Sequence, residues 1–465
     1  MAAGAALNSL GPQLTARKHS ERITVALRLS VIGTGYLGAT HAACMAELGY
    51  EVIGYDVDEA KIELLRAGRV PFFEPGLPEL LTKQIDSGRL RFTTNIAEVA
   101  EFADVHFICV GTPQMKDSFA ADLRHVHAAV ESLAPLLTRE SIVVGKSTVP
   151  SGTAALLAAT IAELAPGGDA VELAWNPEFL REGFAVKDTL RPERLVIGVE
   201  SEHAEKVLRE VWAPLTDIGI PLIVTDFATA ELVKVAANSF LATKISFINA
   251  MAEICETTGA DVTQLAAALA LDSRIGGRFL HAGLGFGGGC LPKDIRAFMA
   301  RAEELGVDQA VGFLREVDAI NQRRRARMVD LAMEQVGGDF TGKRIGVLGA
   351  AFKPNSDDIR DSPALDVAAA VHRAGGTVTV FDPQAMANAK VRYPQLGYAD
   401  STIEACAGAD VVLHLTEWQE FRDLDPATLS SVVAGRHIVD GRNALDPSRW
   451  RDAGWTYRAL GRPSA

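Results

Sequence analysis

The sequence predicts an α/β protein with two doubly wound parallel-sheet units, joined by a long central helix and a helical middle region. Three observations lead there. Short β-branched strands alternate with helical patterns before residue 226, and the same alternation resumes after residue 343. Between the two, one helical pattern runs unbroken from Phe227 to Thr258. Gly337 and Gly338 then punctuate the start of the second alternation.

Composition narrows the class. At 465 residues the chain exceeds what one core holds, so two or three domains are expected. With 48% apolar and 23% charged residues it is an ordinary soluble globular chain. A net charge of -13 leaves no general basic face for nucleic acid, although a local cluster of cations could hold a small anion. The five cysteines (44, 109, 255, 290 and 406) show neither CxxC nor Cys/His spacing. No metal site and no disulfide frame is therefore expected, and reduced thiols point to the cytoplasm. No run approaches the ~18 apolar residues of a membrane span. Residues 1–26 read as a disordered leader; its basic residues follow its apolar ones, the wrong order for a secretory signal.

In chain order, the apolar residues 23–32 run straight into Gly33-Thr34-Gly35-Tyr36-Leu37-Gly38. A helix from Ala39 to about Leu48 and a strand over Glu51–Tyr55 follow, ending at Asp56. Strand, glycine turn, helix, strand and acid form the dinucleotide fingerprint of a Rossmann-like unit. The glycines let a pyrophosphate approach the helix N-terminus, whose dipole favours the anion. Asp56 is placed to bond the ribose hydroxyls and would repel a 2′-phosphate, which favours NAD over NADP. Lys61 on the next helix is either solvated or an adenosine contact.

The strands over 105–110 and 141–145 continue the sheet. Ligands of such sheets sit at the carboxyl ends of strands, and Thr112 and Thr148 lie there, either touching cofactor or merely forming turns. The strand over 172–175 leads into Asn-Pro-Glu178-Phe179-Leu180-Arg181-Glu182-Gly183. Its two carboxylates, four residues apart, either serve one site or are solvated charges on a helical turn. On the long helix, Lys234 and Asn238 lie one turn apart on the same face. Buried together they could stabilise an oxyanion; the plainer reading is an interhelical hydrogen bond or a snorkelling lysine.

The most specific stretch is Gly285-Phe-Gly287-Gly-Gly289-Cys290-Leu-Pro292-Lys293-Asp294. The glycines strip away bulk so that a ligand could approach the sulfur. Pro292 suggests a fixed loop, Lys293 would favour the nucleophilic thiolate, and Asp294 could orient a water or take its proton. A buried, inert cysteine in a glycine turn is the bland alternative. The helices over about 294–336 include an arginine-rich run near 322–327, expected to be a solvated face or an oligomer contact. The second α/β unit has strands over 344–348, 377–381, 411–415 and 437–439 but no GxGxxG, so a second dinucleotide is not expected. Lys353, Arg360 and Arg442 lie at or just after strand ends, where they could hold phosphates or sugar hydroxyls.

Nine motifs in order (GTGYLG, PFFEPGL over 71–77, VGTP, KSTVPSGT, NPEFLREG, KVAAN, GFGGGCLPKD, AFKPNSDDIRDSP and TEW) resemble the UDP-glucose/GDP-mannose dehydrogenase family over about residues 28–445. The resemblance implies a four-electron oxidation of a sugar's primary alcohol to a carboxylate, with two NAD used in succession. Cys290 would capture the aldehyde and carry the thioester. Lys234 and Asn238 would stabilise the oxyanion; Glu178, Asp294 and Thr148 would handle the hydrolytic water. The cofactor contacts would be Gly33, Gly35, Tyr36, Leu37, Gly38, Asp56, Lys61, Thr112, Thr148, Glu182, Lys293 and Arg360. The substrate, UDP-glucose by the NPEFLREG form, would meet Glu178, Phe179, Leu180, Arg181, Glu182, Lys234 and Asn238. It would also meet Phe279, Leu280, His281, Ala282, Gly283, Gly287, Lys353 and Arg442, with Arg274 from a neighbouring subunit of a homodimer or larger homo-oligomer. The divisions expected are an NAD-binding unit over 27–225, a central helical and dimerisation region over 226–336, and a unit over 337–465 for the uridine diphosphate. Gly289 stands where the family usually has serine. GDP-mannose or UDP-N-acetylmannosamine as substrate, a non-catalytic nucleotide-sugar sensor, and a two-electron hydroxyacid dehydrogenase are the competing readings; the last needs no cysteine.

Overall fold

The structure is a computed structural model that describes residues 27–463. The expected leader lies outside the described residues. The first sheet holds β1 (Arg28–Ile32), β2 (Glu51–Tyr55), β3 (Leu90–Thr93), β4 (Val105–Ile108), β5 (Ser141–Gly145), β6 (Val171–Trp175), β7 (Leu195–Gly198) and β8 (Leu222–Thr225). Their order is β3-β2-β1-β4-β5-β6-β7-β8. The first six are parallel, and β7 meets β6 antiparallel, so β7 and β8 run back. The second sheet holds β9 (Arg344–Leu348), β10 (Thr377–Phe381), β11 (Gly397–Tyr398), β12 (Val411–His414), β13 (His437–Asp440) and β14 (Thr456–Ala459), all parallel. It repeats the order of the first six strands, β11-β10-β9-β12-β13-β14. Central strands β4, β5 and β12 are buried along their whole length, as parallel strands covered on both faces must be.

In each sheet the strand order reverses beside the first strand, which opens a crevice at the carboxyl ends there. The two crevices differ. In the second, Asp382 follows β10 where Asp56 follows β2. Its carboxylate accepts from the amides of Ala350, Ala351, Gln384 and Ala385 at 2.8–2.9 Å and from the Trp418 indole at 3.0 Å. With its acceptors turned onto its own backbone and onto the tryptophan of the TEW motif, this acid is not presented to a ribose.

The helix Phe227–Thr258 joins the halves, about 48 Å long at 1.5 Å per residue. Asp226 caps it by accepting from the Thr229 amide, and Gly259 ends it in the left-handed conformation. Its polarity is turned inside out. Glu231, Lys234, Asn238, Ser246 and Asn249 face inward, while Phe240, Phe247 and Ile254 stay exposed. Spaced by seven, those three share one face. The arginine run corrects its expectation: Arg324 and Arg325 are buried. Arg324 pairs with Glu256 at 2.6 Å, and Arg325 reaches Asp366 and the Phe286 carbonyl. They fasten the helix Phe313–Gln335 to the long helix and to the second unit. No helix among the described residues is long and apolar enough to cross a membrane.

Candidate active site

The cofactor turn is built as its residues require. Gly33 adopts φ +88 in front of Val110, and the turn feeds the helix Tyr36–Glu47. Gly35 faces open space at that helix's N-terminus, the place a pyrophosphate would take. Asp56 accepts from the Thr34 amide at 2.9 Å and from Lys61 Nζ at 2.7 Å. Burial works against its charge, but bonds from Lys61, Asp58 and Thr34 hold its carboxyl below the usual range. Lys61 is thus an ion-pair partner of Asp56. The residues present fit NAD, with Asp56 for the ribose and the helix end for the phosphates. Thr112 donates to the Thr148 carbonyl at 2.8 Å, which ties the ends of β4 and β5 together beside this crevice.

Cys290 caps the helix Leu291–Glu304, with its carbonyl accepting from the Asp294 amide at 2.9 Å. Pro292 therefore sits in the first turn of a helix, where its missing N–H costs nothing, rather than in a loop. The long helix delivers Lys234 and Asn238 to the same spot. Lys234 Nζ lies 2.9 Å from Glu178 Oε1, and Asn238 Nδ2 donates to Asp294 Oδ2 at 2.6 Å. Lys234, Asn238 and Asp294 are all buried. Burial opposes the Lys234 charge, but Glu178, Cys290 and Asp294 outweigh it and raise the ammonium above its usual range. It stays charged.

The cation that acts on the sulfur is Lys234. Lys293, three residues on from Cys290 in sequence, turns its Nζ to Asp294 Oδ1 at 2.6 Å instead. Cys290 is open to solvent in the cleft, yet the surrounding protein pushes its thiol up to about 12. Lys234 pulls it down, and Asp294, Glu178 and Glu182 push it further up. The surroundings thus favour the thiol at rest, against the pull of Lys234 toward the thiolate.

The glycines before it also have a different reason from the one expected. A side chain on Gly287 would strike the Asp361 carbonyl, one on Gly288 the Phe352 ring, and one on Gly289 the Arg360 guanidinium. The run strips bulk chiefly so that the second unit can close on the loop. Gly289, in the family's serine position, is overlaid by Arg360.

Glu178 and Glu182 lie on an irregular loop rather than a helical turn, and neither is solvated. Glu182 crosses to the second unit, meeting Ser356 at 3.1 Å and Arg360 at 3.2 Å. Burial first, then Asp358, raises its carboxyl to about 7 against Arg360, Lys353 and Ser356. Lys353 is half-buried, without an ion pair among the described residues, and close enough to feel both Glu182 and Cys290.

Other expected contacts fall elsewhere. Arg181 turns outward onto Asp188 at 2.8 Å, and Phe179 packs under Arg194 and Lys234. Leu280 and Ala282 are core residues beside Ile248 and Ala252. Gly283 is pinned by its amide to Asn249 at 2.9 Å, which leaves Phe279 and His281 as the more open side chains of that segment. Arg442 spends its guanidinium on the carbonyls of Leu415, Gly285 and Phe352, so it is a strut beneath the cysteine loop rather than a free cation. Arg274 is exposed and paired with Asp272, away from the site of its own chain.

Three supporting residues escape a reading by spacing. Lys146 is buried, pushed down to about 8 by burial, and bonds Asn176 Oδ1 at 2.9 Å to fix the start of the Glu178 loop. Glu231 accepts from the Gly152 and Ala154 amides and steadies the loop after Thr148. Asp358 holds Arg360 at 2.7 Å. Lys146 and Asp358 stand inside KSTVP and AFKPNSDDIRDSP, so the motifs carried a signal that their partners alone explain.

Comparison with known proteins agrees with this arrangement. Residues 27–216 match the NAD binding domain of the UDP-glucose/GDP-mannose dehydrogenase family, 228–323 its central domain and 346–447 its UDP binding domain. The chain is 43% identical to a UDP-glucose 6-dehydrogenase of Rhizobium meliloti over 94% of its own length and 100% of the relative's. It is 41% identical to one of Pseudomonas aeruginosa, over 94% of this chain and 98% of that one. Among solved structures, a UDP-glucose dehydrogenase from Pyrobaculum islandicum matches with a TM-score of 0.87 and 39% identity, covering 96% of this chain and 100% of that one. A UDP-D-ManNAc dehydrogenase from Pyrococcus horikoshii matches with a TM-score of 0.82 and 27% identity, covering 94% and 100%. Matched by all three domain models of the family, and with its fold and nearly its whole length in common with these proteins, the chain belongs to the UDP-glucose/GDP-mannose dehydrogenase family.

Proposed function

We propose that the chain is an NAD-dependent UDP-glucose 6-dehydrogenase, which oxidises the sugar's primary alcohol to the carboxylate of UDP-glucuronate. The observation that carries this is the gathering of Lys234, Glu178, Asn238 and Asp294 around Cys290, between the glycine turn and the second sheet. The first unit takes NAD, the second takes the uridine diphosphate, and the long helix carries the lysine and amide between them. When bound, NAD supplies the hydride acceptor for both oxidations.

The first oxidation would pass a hydride from the alcohol to the cofactor and a proton to solvent water, leaving an aldehyde. Cys290 gives its proton to solvent water, to which it is open, and its sulfur adds to the aldehyde carbon; the ammonium of Lys234 and the second amide proton of Asn238 would stabilise the oxygen that gains charge. Loss of the second hydride leaves a thioester. Water then attacks the thioester carbonyl and gives its proton to Asp294, which Asn238 and Lys293 hold in place. The carbon–sulfur bond breaks, the acid leaves, and the thiol is restored. Lys353 and Arg360 are the cations for the diphosphate and the cofactor.

The chain also works as a homodimer or larger homo-oligomer. The exposed face of Phe240, Phe247 and Ile254 supports this, as does Arg274, which is exposed and meets only its near neighbour Asp272. The test of function is NADH yield with limiting UDP-glucose, run beside GDP-mannose. About two NADH per UDP-glucose are expected from the four-electron balance; a yield of one, or a faster reaction with GDP-mannose, overturns the reading.

A further inference from the structure

We propose that Glu74, in the loop over 71–77, is a positioning residue that couples the cofactor site to the sugar-nucleotide site. Glu74 is buried and has no ion pair among the described residues. A buried carboxylate is costly unless its oxygens are bonded, and Glu74 meets that cost with three donors from two places. Oε2 accepts from the Tyr36 hydroxyl and from the Gly183 amide at 2.6 Å, and Oε1 accepts from the Ala185 amide at 2.7 Å. Tyr36 is the first residue of the helix that receives the pyrophosphate, and its hydroxyl also accepts from the Gly183 amide at 2.9 Å. Phe72 packs on the Tyr36 ring with centroids 4.9 Å apart. The burial that surrounds this phenol, and Glu74 after it, raise its pKa, so it remains a donor.

The other end of the contact leads to the second unit. Glu182 precedes Gly183 and reaches Ser356 and Arg360. Gly183, at φ +76, has the Asn355 backbone where a side chain would stand, and the Phe73 backbone lies close enough to the Asp357 carboxyl to favour its charge. One loop therefore touches the cofactor helix, the substrate loop and the second unit. A pyrophosphate that fixes Tyr36 fixes Glu74, then the 183–185 backbone, then Glu182 and Arg360. Each ligand favours the same position of this loop, so each tightens the other.

The proposal rests on the substrate reading above, and the test separates the two. NADH is titrated calorimetrically into the full chain, alone and with saturating UDP-glucose, a pair that cannot react. The parent should bind NADH at least about fivefold more tightly with the sugar present, the lower end for coupled sites. Glu74→Gln keeps the shape but withdraws one acceptor oxygen. It should bring that ratio below about twofold while each single affinity stays within about threefold of the parent's. Tyr36→Phe, which keeps the ring on Phe72, should also abolish the ratio, and it carries the test if Glu74→Gln does not fold. A parent that binds both ligands without coupling, or variants that keep the parent's ratio, overturns the proposal alone. A parent that binds no UDP-glucose overturns the substrate reading and this proposal together.

Discussion

Replacing Lys234 with methionine tests the site most directly. The side chains of Lys234 and Glu178 are only 6% and 13% exposed, so the change leaves a carboxylate buried without its cation. Breaking a buried pair from one side costs about 3–5 kcal/mol. The lower figure, about 3 kcal/mol, applies here because Glu178 keeps its bond from the Leu180 amide at 2.7 Å. Catalysis should lose more than stability accounts for. Removing one preorganised donor from an oxyanion costs about 10²–10³ in kcat. The assay pairs urea unfolding with steady-state kcat, both at 25 °C and saturating substrates. Adding Glu178→Gln removes the stranded charge and should return stability to within about 1 kcal/mol of the parent. A Lys234→Met enzyme that keeps kcat within about threefold while losing stability would make the lysine a structural ion and refute its role at the oxyanion.

Other outcomes are equally definite. Cys290→Ser should form no UDP-glucuronate, because serine is far harder to ionise than a thiol; acid appearing by chromatography at the parent's rate refutes the covalent step. Asp56→Ala should weaken NAD by about ten- to a hundredfold in KM and narrow the preference over NADP, since it removes a charged hydrogen-bond acceptor and the repulsion of a 2′-phosphate. Glu182, held near 7 in the fold against an ordinary 4.5, stays protonated where the unfolded chain has already ionised. The folded state then binds more protons, so this group lowers stability as pH rises from about 4.5 to 7. Glu182→Gln should accordingly stabilise the protein by about 1–2 kcal/mol at pH 8 and hardly at all at pH 4.5, as read by urea midpoints. Phe247→Asp should shift the chain to a smaller species in light scattering, since a charge cannot be buried unpaired in an apolar interface.

The local parts of this molecule were readable from sequence. The glycine turn, Asp56, and the Lys234–Asn238 step on one helix face need only spacing, and the strands over 51–55, 141–145, 344–348 and 377–381 fall where β-branched patterning put them. What depends on a distant partner was not readable. Glu178 meets a lysine 56 residues away, and nothing in its own neighbourhood separates that from a solvated charge. Lys293 failed as the partner of Cys290 because its ammonium is taken at 2.6 Å by Asp294, the next residue along the helix. Arg324 and Arg325 read as surface because a run of cations is normally solvated; Glu256 and Asp366, far along the chain, explain their burial. Strands β3, β7 and β8 are no shorter than β4, but none is followed by a turn like the Gly111-Thr112-Pro113 that marked the end of β4.

The loop that carries Cys290 is held by pieces that meet only when the entire polypeptide is folded. Asn321 bonds the Phe286 amide at 2.7 Å, Arg442 grips the Gly285 carbonyl at 3.0 Å, and Asp358 accepts from the Gly289 amide at 3.3 Å. A fragment ending near residue 340 would keep its nucleotide cradle but lose two of these three tethers. Such a fragment should still capture dinucleotide while its sulfur wanders. Reactivity is thus conferred by the last strands to leave the ribosome.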